Sequence, residues 1–287
     1  MKMFTKLVLV SSMAISANAM AMQAMDDTAL SAATGQDGIN IGIALGAGGI
    51  SIDKLYIHDN DGLQASTGIT GATGVAGAIT IDGLSITQVG TGNLLDLVID
   101  TDAGTGGEAF LNIAATVGAV DVSIGSIGVA ASNGAALTDT TTAVRGVVGT
   151  PTEILSGLDL SLGSITANVQ LGATPQGAMI KLDSTLQGGL TISNLGINDA
   201  AGGGQIFLDN IYVRGTGNAT GDLDIQADIS VTQNGLVLQN NSTQGMNVYI
   251  AGVRLGDSAT AATNASIGDV EIQGLNVGSS TITISGH

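Results

Sequence analysis

The sequence predicts an all-β fold for most of the chain, and three observations lead to that prediction. From Ile39 onward apolar residues alternate with polar or small ones, as at Ile39, Ile41 and Ile43 and again at Ile282 and Ile284. This period of two places one face of a strand in the core and the other in water. Isoleucine, leucine and valine fill the apolar positions, and β-branched residues favour strands. After residue 38, no amphipathic segment has the length of a helix that connects parallel strands.

A second pattern, with apolar residues at positions i, i+2, i+5 and i+7, predicts strands that bend in the middle. In a straight strand the step of three would turn the later apolar pair toward water. A corner or bulge at the inserted residue keeps both pairs on one face, and Gly, Asn and Asp tolerate that backbone conformation. The alternative is a strand that is buried first on one face and then on the other. The eight units begin at Ile50, Ile79, Val122, Leu160, Leu190, Ile206, Val248 and Val270.

The spacing of these units leaves the architecture open. A regular solenoid or propeller repeats at a fixed period, whereas successive units here begin between 16 and 43 residues apart. We therefore expect an elongated arrangement of bent strands, such as an irregular β-solenoid, with a curled sheet or a sandwich as the alternative. In each case residues 39–287 are expected to form a single β-rich domain.

Composition and charge exclude several classes of protein. The 287 residues include 24 acids against 7 bases, 44 glycines and no cysteine, and the formal net charge is −17. The mean hydropathy of +0.41 is too high for a disordered acidic chain. The negative charge disfavours nucleic acid as a partner. Without cysteine the chain has neither disulfides nor a thiolate metal site.

The N-terminus has the layout of a secretory signal peptide at residues 1–19. Lys2 and Lys6 form a positive start, a short apolar run follows, and Ala17 and Ala19 occupy the small positions before the cut. Cleavage after residue 19 or after residue 21 fits equally well. Either cut makes the net charge more negative, at −19, because it removes two lysines and no acidic residue.

The mature chain is expected to begin with a short helical segment at residues 20–38. Acids stand near its start, where the helix dipole favours them, and Gly35 provides a C-terminal stop. No later apolar stretch approaches the ~20 residues that cross a membrane as a helix. We therefore expect no transmembrane segment in the mature chain.

Asp59 and Asp61 form the best candidate for a metal site. Carboxylates at alternate positions followed by Gly62 resemble the start of a calcium-binding loop, in which hard oxygen ligands converge. The full EF-hand loop also needs a glutamate at its twelfth position, where this chain has Thr70. Because Asp, Asn and Gly favour hairpin turns for backbone reasons alone, the alternative to a weak calcium site is a turn.

No other cofactor is expected, and no catalytic motif is present, so we expect no enzymatic activity.

The residues that follow the signal peptide resemble the opening of a known family. Residues 22–39 contain the short acidic helix and a Thr-Gly-Gln-Asp-Gly sequence that ends at Gly38. This opening is similar to that of the pilus-system FilA-like proteins of Acinetobacter and related gammaproteobacteria, which are exported, β-rich and Gly-rich. The closing residues 281–287 resemble ends found in the same group. The resemblance implies participation in a surface filament or pilus system and brings no catalytic or binding residues with it.

Together these observations predict an exported, non-enzymatic structural or assembly component of a surface filament or pilus system. Its expected location is the periplasm, the outer surface or an extracellular appendage of a Gram-negative bacterium, with a role in the cell surface or in cell adhesion. Its expected partners are copies of itself or sister subunits, contacted through β-strands. The alternative is a periplasmic or secreted binding protein with an apolar groove in a curled β-sheet.

Overall fold

The computed structural model of the chain describes residues 38–64, 68–258 and 260–286. The predicted signal peptide and residues 20–37 of the predicted helical segment lie outside these ranges. The chain divides into two compact units, Met1–Ile39 and Asn40–His287. The fold that follows is that of the second unit, together with the strand that begins at its boundary.

Sixteen β-strands make up this fold, so the prediction of an all-β class is confirmed. The only helical element in the described ranges is one 3-10 turn at Ala261–Thr263. The strands are β1 (Ile39–Ile43), β2 (Ile50–Asp59), β3 (Gly77–Gln88), β4 (Leu95–Asp102), β5 (Phe110–Val117), β6 (Val120–Ser132), β7 (Val147–Leu162), β8 (Ile165–Gly172), β9 (Ile180–Leu186), β10 (Leu190–Asp199), β11 (Gly204–Gly215), β12 (Leu223–Thr232), β13 (Gly235–Asn240), β14 (Met246–Asp257), β15 (Gly268–Leu275) and β16 (Ser280–Ile284).

The strands form two sheets of eight strands each. Sheet I has the order β1-β4-β5-β8-β9-β12-β13-β16, and sheet II has the order β2-β3-β6-β7-β10-β11-β14-β15. Neighbouring strands, such as β4 and β5 or β2 and β3, run antiparallel. The chain thus makes two strands in one sheet and two in the other, and both sheets grow in chain order.

The connections between the sheets lie on one side of the strands, which we call the seam. β5 leads into β6 through Gly118 and Ala119, and β7 leads into β8 through Gly163 and Ser164. Because strands alternate in direction, the hairpins within each sheet lie at the opposite ends of the strands, which we call the hairpin side. This path explains the uneven spacing of the sequence units. Consecutive units in sheet II are separated either by one hairpin loop or by a two-strand excursion through sheet I.

The two sequence patterns belong to different sheets. Plain alternation occupies strands of sheet I, including β1, β12 and β16, whereas the units with an inserted residue occupy sheet II. Six of the eight units lie whole within one strand of sheet II, and the unit that begins at Val270 runs past the end of β15. The unit predicted at Leu160 is wrong, because Leu160 lies near the end of β7 whereas Ile165 opens β8 in the other sheet. β7 has its inserted residue earlier, at Gly157.

The inserted residue is a corner with a left-handed backbone in five of these strands. Gly83, Gly157, Asn194, Gly252 and Gly274 have φ angles of 68°, 60°, 59°, 65° and 67°, and each lies inside a strand of sheet II. In the pairs β2–β3, β10–β11 and β11–β14 one register holds on both sides of the corner, because each strand carries its own inserted residue at the same level. Between β14 and the edge strand β15 the register shifts instead. The apolar pairs before and after the corner can therefore face the same side, which supports the bent-strand interpretation.

Apolar rows run across both sheets, whereas the buried apolar residues of the described ranges are Ala78, Val120, Ala178, Leu186 and Ala261. In sheet II one row crosses all eight strands, through Ile50, Ile86, Val122, Leu160, Ile192, Ile211, Ile250 and Val270. In sheet I a row crosses seven strands, through Ile99, Ile113, Val169, Ile180, Ile229, Leu238 and Ile282. Cross-strand apolar pairs of this kind stabilise a sheet by ~0.2–1 kcal/mol each. Most interior members of these rows are half-buried.

Replacing Gly157 by alanine tests the corner. A Cβ atom there would lie 2.8 Å from the carbonyl oxygen of Asn194, at a φ of 60°. Left-handed geometry costs a non-glycine residue ~1–2 kcal/mol, and the close contact adds to that cost. We expect Gly157→Ala to lower the free energy of unfolding by ~2–3 kcal/mol in urea denaturation.

Gly77→Ala is the matched control for that substitution. Gly77 also lies in a strand of sheet II, but the nearest atom to its Cβ position, the carbonyl oxygen of Ala130, is 3.8 Å away. Its alanine variant should change the unfolding free energy by less than ~0.5 kcal/mol. Equal effects of the two substitutions would contradict the corner geometry.

Candidate functional site

The ends of the two sheets are the most distinctive surfaces of the fold. We call β1 and β2 the leading end and β15 and β16 the trailing end. Every residue of β1, β15 and β16 is exposed, and in β2 only Tyr56 and His58 are partly buried. The strands between them alternate between exposed and half-buried or buried residues, as β6 does. Among the residues that the structure describes, no further strand pairs with either end of the two sheets.

The exposed residues at the ends belong to the same apolar rows. Ile113 and Ile180 are half-buried in the row of sheet I, whereas Ile282 of the same row is 58% exposed on β16. Ile39 on β1 is 59% exposed. Because a strand at the end of a sheet has a neighbour on one side only, its apolar face is half covered. The ends thus present side chains that an additional strand would bury.

Two of these four strands carry none of the charged residues or prolines that usually protect an edge. Natural edges are commonly shielded by charged side chains, proline, bulges or covering loops. β1 has the sequence INIGI and β16 has the sequence STITI, so neither carries a charge or a proline. β15 is shielded more, by Asp269 and Glu271 and by two register shifts against β14.

A line of polar contacts follows the corners across sheet II. At the leading end, Lys54 Nζ lies 3.4 Å from Asp82 Oδ1. In the middle of the sheet, Asp159 accepts hydrogen bonds from Ser123 Oγ at 2.5 Å and from Asn194 Nδ2 at 2.8 Å. These contacts tie neighbouring strands together beside the inserted residues, where ladder pairing is interrupted.

The line continues between β11 and β14 as an ion pair. Arg254 donates from Nε to Asp209 Oδ1 at 2.8 Å and from Nη2 to Asp209 Oδ2 at 2.6 Å. This bidentate contact holds the pKa of Asp209 below its usual value and raises the pKa of Arg254. The guanidinium therefore fastens β14 to β11, one strand before the trailing end.

Asp269 ends the line and attaches the edge strand β15. The hydroxyl of Tyr249 donates to Asp269 Oδ2 at 2.6 Å, and the backbone N–H of the corner residue Gly252 donates to Asp269 Oδ1 at 2.8 Å. These two hydrogen bonds hold the pKa of Asp269 below its usual value, and Asp269 in turn raises the pKa of Tyr249. The ionised carboxylate is thus the side-chain clamp between β14 and β15.

The candidate calcium residues lie in a turn at the hairpin side of β2. Asp59 Oδ1 accepts hydrogen bonds from the backbone N–H of Asp61 at 3.4 Å and of Gly62 at 3.1 Å. This is the arrangement of an Asp-initiated turn, and it engages one of the oxygens that a cation would need. Within the described ranges, no three His, Cys, Asp or Glu side chains are grouped to hold a metal ion.

His58 contacts Ser132 in a way that suits structure better than catalysis. The distance from His58 Nδ1 to Ser132 Oγ is 2.8 Å, and Ser132 is 7% exposed, so its hydroxyl is poorly placed to attack a substrate. Burial and the nearby charge of Arg145 lower the pKa of His58. Arg145 also donates to Asn60 Oδ1 at 2.7 Å, which ties the loop after β6 to the loop after β2.

A shallow depression of about 350 Å³ on sheet I is lined mainly by apolar atoms, including those of Ala114 and Ala167. Two others on that sheet are lined mainly by polar side chains. The larger has a volume of about 500 Å³, and Thr185, Asn218 and Asp224 contribute to its wall. The smaller has a volume of about 390 Å³ and shares Asp224, with Asp183 beside it. Hydroxyls, amides and carboxylates of this kind suit a hydrated polar surface rather than an apolar ligand.

Comparison with known proteins assigns no function to the chain. Residues 1–123 match a family of unknown function (DUF6160), and the match ends within β6. No curated protein and no solved structure matches the chain. In the part of the chain that the structure describes, no helix has the length and apolar character to span a membrane.

The clamp at the trailing end makes a testable prediction. Because the pKa of Asp269 is lower in the folded chain than in the unfolded chain, the clamp is complete above the unfolded pKa of ~3.9 and is lost as the pH falls through the folded value. Asp269→Asn should therefore raise hydrogen exchange several-fold in β15 at pH 7. The difference in exchange rate between this variant and the unmodified protein should become smaller below about pH 4.

Glu271→Gln is the control for the clamp, because it removes a carboxylate from the same strand. Glu271 is bonded within its own strand, by Gln273 Nε2 at 2.6 Å, and not to β14. Its variant should exchange like the unmodified protein. Equal protection of β15 in the Asp269 and Glu271 variants would contradict the clamp.

The turn at Asp59 leads to a second prediction. If Asp59 serves the turn, millimolar calcium and its removal by a chelator should leave the Tm unchanged. Asp102→Asn is a matched control, since Asp102 Oδ1 accepts from Gly104 N–H at 2.7 Å in a similar turn. A Tm increase with calcium that Asp59→Asn and Asp61→Asn abolish, and that Asp102→Asn retains, would instead establish the calcium site.

Proposed function

We propose that this chain is an exported, non-enzymatic structural subunit of a surface filament or pilus system. The observation that carries the proposal is the set of four exposed edge strands, β1, β2, β15 and β16, at the two ends of its sheets. Edge strands accept a further strand by main-chain hydrogen bonding, and this is a recurring mode of subunit assembly.

The lack of edge protection supports an assembly role. A protein that works alone gains from shielding its edges, because an open edge recruits other chains. β1 and β16 are uncharged and alternate apolar residues with small or polar ones, which leaves Ile41 and Ile282 available to a partner. Such strands are a liability in a monomer and an advantage in a subunit.

Charge and export fit the same role. The net charge of −17 in the full chain would oppose indiscriminate association before assembly. The signal peptide predicted at residues 1–19 would deliver the chain out of the cytoplasm. The resemblance of residues 22–39 to FilA-like proteins points to the same class of structure.

The binding-protein alternative receives less support from the surface. It requires a concave apolar groove, whereas two of the three depressions on sheet I are polar and the apolar one beside Ala114 is shallow and open. The buried contact between His58 and Ser132 likewise favours a structural use of these residues. Assembly through the sheet ends is therefore the preferred proposal.

Deletion of the gene tests the proposal in the bacterium. Electron microscopy should show that a surface filament or layer disappears or changes, and the intact gene should restore it. Ile282→Lys should fail to restore it, because an inward-pointing lysine on an edge blocks strand addition.

Val231→Lys provides the control, since Val231 lies in the same sheet on the interior strand β12 and is 67% exposed. This variant should restore the surface as the intact gene does, at equal levels of exported protein. A surface that is unchanged by the deletion would overturn the structural role.

A further inference from the structure

We propose that the partner of each sheet end is the opposite end of a second copy of this chain, so that copies stack head to tail and both sheets continue across the junction. This inference rests on the proposed structural role and specifies what occupies the sheet ends. In the stack, β15 of one copy pairs with β2 of the next, and β16 pairs with β1.

Strand direction favours this arrangement. β2 runs from the seam to the hairpin side, and β15 runs back toward the seam; β1 runs toward the seam, and β16 runs away from it. Each sheet has eight strands, an even number, so its first and last strands run in opposite directions. A copy added at the trailing end therefore extends both sheets with antiparallel pairs at once.

The apolar rows continue across the same junction. Ile50 begins the row of sheet II on β2, and Val270 ends it on β15. A second copy that continues this row places Ile50 opposite Val270 and covers both. In sheet I, Ile282 and Ile284 of β16 would meet the alternating isoleucines of β1.

Charge favours head-to-tail stacking over pairing of like ends. Two trailing ends would bring Asp269 and Glu271 of both copies together on adjacent strands, and like charges opposite each other destabilise a strand pair. The leading end carries Lys54 at the start of the polar line that Asp269 ends. Head-to-tail stacking therefore keeps the acids of two β15 strands apart and places β15 beside β2, in which Lys54 lies between Asp53 and Asp59, while β16 and β1 meet without charge.

The junction is large enough for specific assembly. With Ile50 opposite Val270, residues 50–52 of β2 face residues 268–270 of β15, so sheet II contributes three residue pairs. β16 and β1 have five residues each, and at about one hydrogen bond per residue pair the two sheets together form at most about eight, which is within the range of an ordinary protein interface. Eight strands spaced ~4.8 Å apart also predict a rise of ~38 Å per copy along the stack.

Engineered cysteines test the junction, because the natural chain contains none. Ile50→Cys and Val270→Cys would face each other across it at the Cα separation of ~4.5–5.5 Å that opposite residues have, which suits a disulfide. After mild oxidation, a mixture of the two single variants should yield a disulfide-linked heterodimer. Each variant alone should stay uncrosslinked, and the double variant should form a ladder of covalent oligomers.

A control measures random collision. Val98 lies on the interior strand β4 and is 45% exposed, the same as Val270. A mixture of Ile50→Cys with Val98→Cys should give at least tenfold less heterodimer than the mixture with Val270→Cys. Circular dichroism of each variant establishes that it retains its strands. Electron microscopy of the unmodified protein, with an expected rise of ~38 Å, provides a readout that needs no substitution.

The outcomes separate this inference from the structural role on which it rests. Homodimers of either single variant would overturn head-to-tail stacking in favour of like ends. Absence of cross-linking, with the protein monomeric at high concentration, would overturn a second copy as the partner and leave the edges to a sister subunit or to residues 1–37. If gene deletion still removes a surface structure in that case, the structural role stands while the stacking inference fails.

Discussion

Sheet II depends on one constraint, which is that every strand carries one residue too many for simple alternation. A single strand with such an insertion would lose register against a regular neighbour, and its later apolar residues would turn outward. From β2 to β14 the fold avoids this by placing an insertion in each neighbour at the same level, so that Ile50 pairs with Ile86 on one side of the corner and Ile57 pairs with Ile79 on the other. Only the edge strand β15 has its insertion at another level, and its register against β14 shifts. Each strand thus requires the same irregularity in the next. Side chains such as Asp159 and Asp209 then restore, beside the corner, some of the cross-strand bonding that the ladder loses there.

A sheet built this way has no natural stopping point. Each strand pair is completed by the next, and the last pair is left with half-covered apolar residues, such as Ile282, and with a free edge. Closed architectures remove that edge, and monomeric proteins usually shield it with charge or proline. Here the Asp269 clamp secures β15 to β14 but leaves its outer side open. The same interactions that hold the interior strands therefore define what the ends can accept.

Local patterns in the sequence predicted the features that depend on local geometry. Alternation at Ile39, Ile41 and Ile43 and the step of three between Ile81 and Leu84 identified strands and corners, because side-chain direction follows from the backbone of a few residues.

The unit at Leu160 was wrong for a related reason. Gly163 and Ser164 connect two sheets there, and a connection uses the same small residues as a corner does. The spacing of the sequence units also could not reveal that β3 pairs with β6. Two strands of sheet I lie between them in the chain, so the contact joins residues that are far apart in sequence. For the site, contact with partners through β-strands was a prediction from the sequence and stays one. The sequence could not say which strands are edges.

The order of strands along the chain also has a consequence for how the molecule reaches its fold. Because both sheets grow in chain order, each new strand docks on one already made, and no early strand waits for a distant C-terminal partner. Repeat proteins behave in this quasi-one-dimensional way, with structure that propagates from neighbour to neighbour. A polypeptide that emerges N-terminus first, from a ribosome or through a membrane pore, could therefore fold vectorially. Each completed pair of strands would serve as the template for the next.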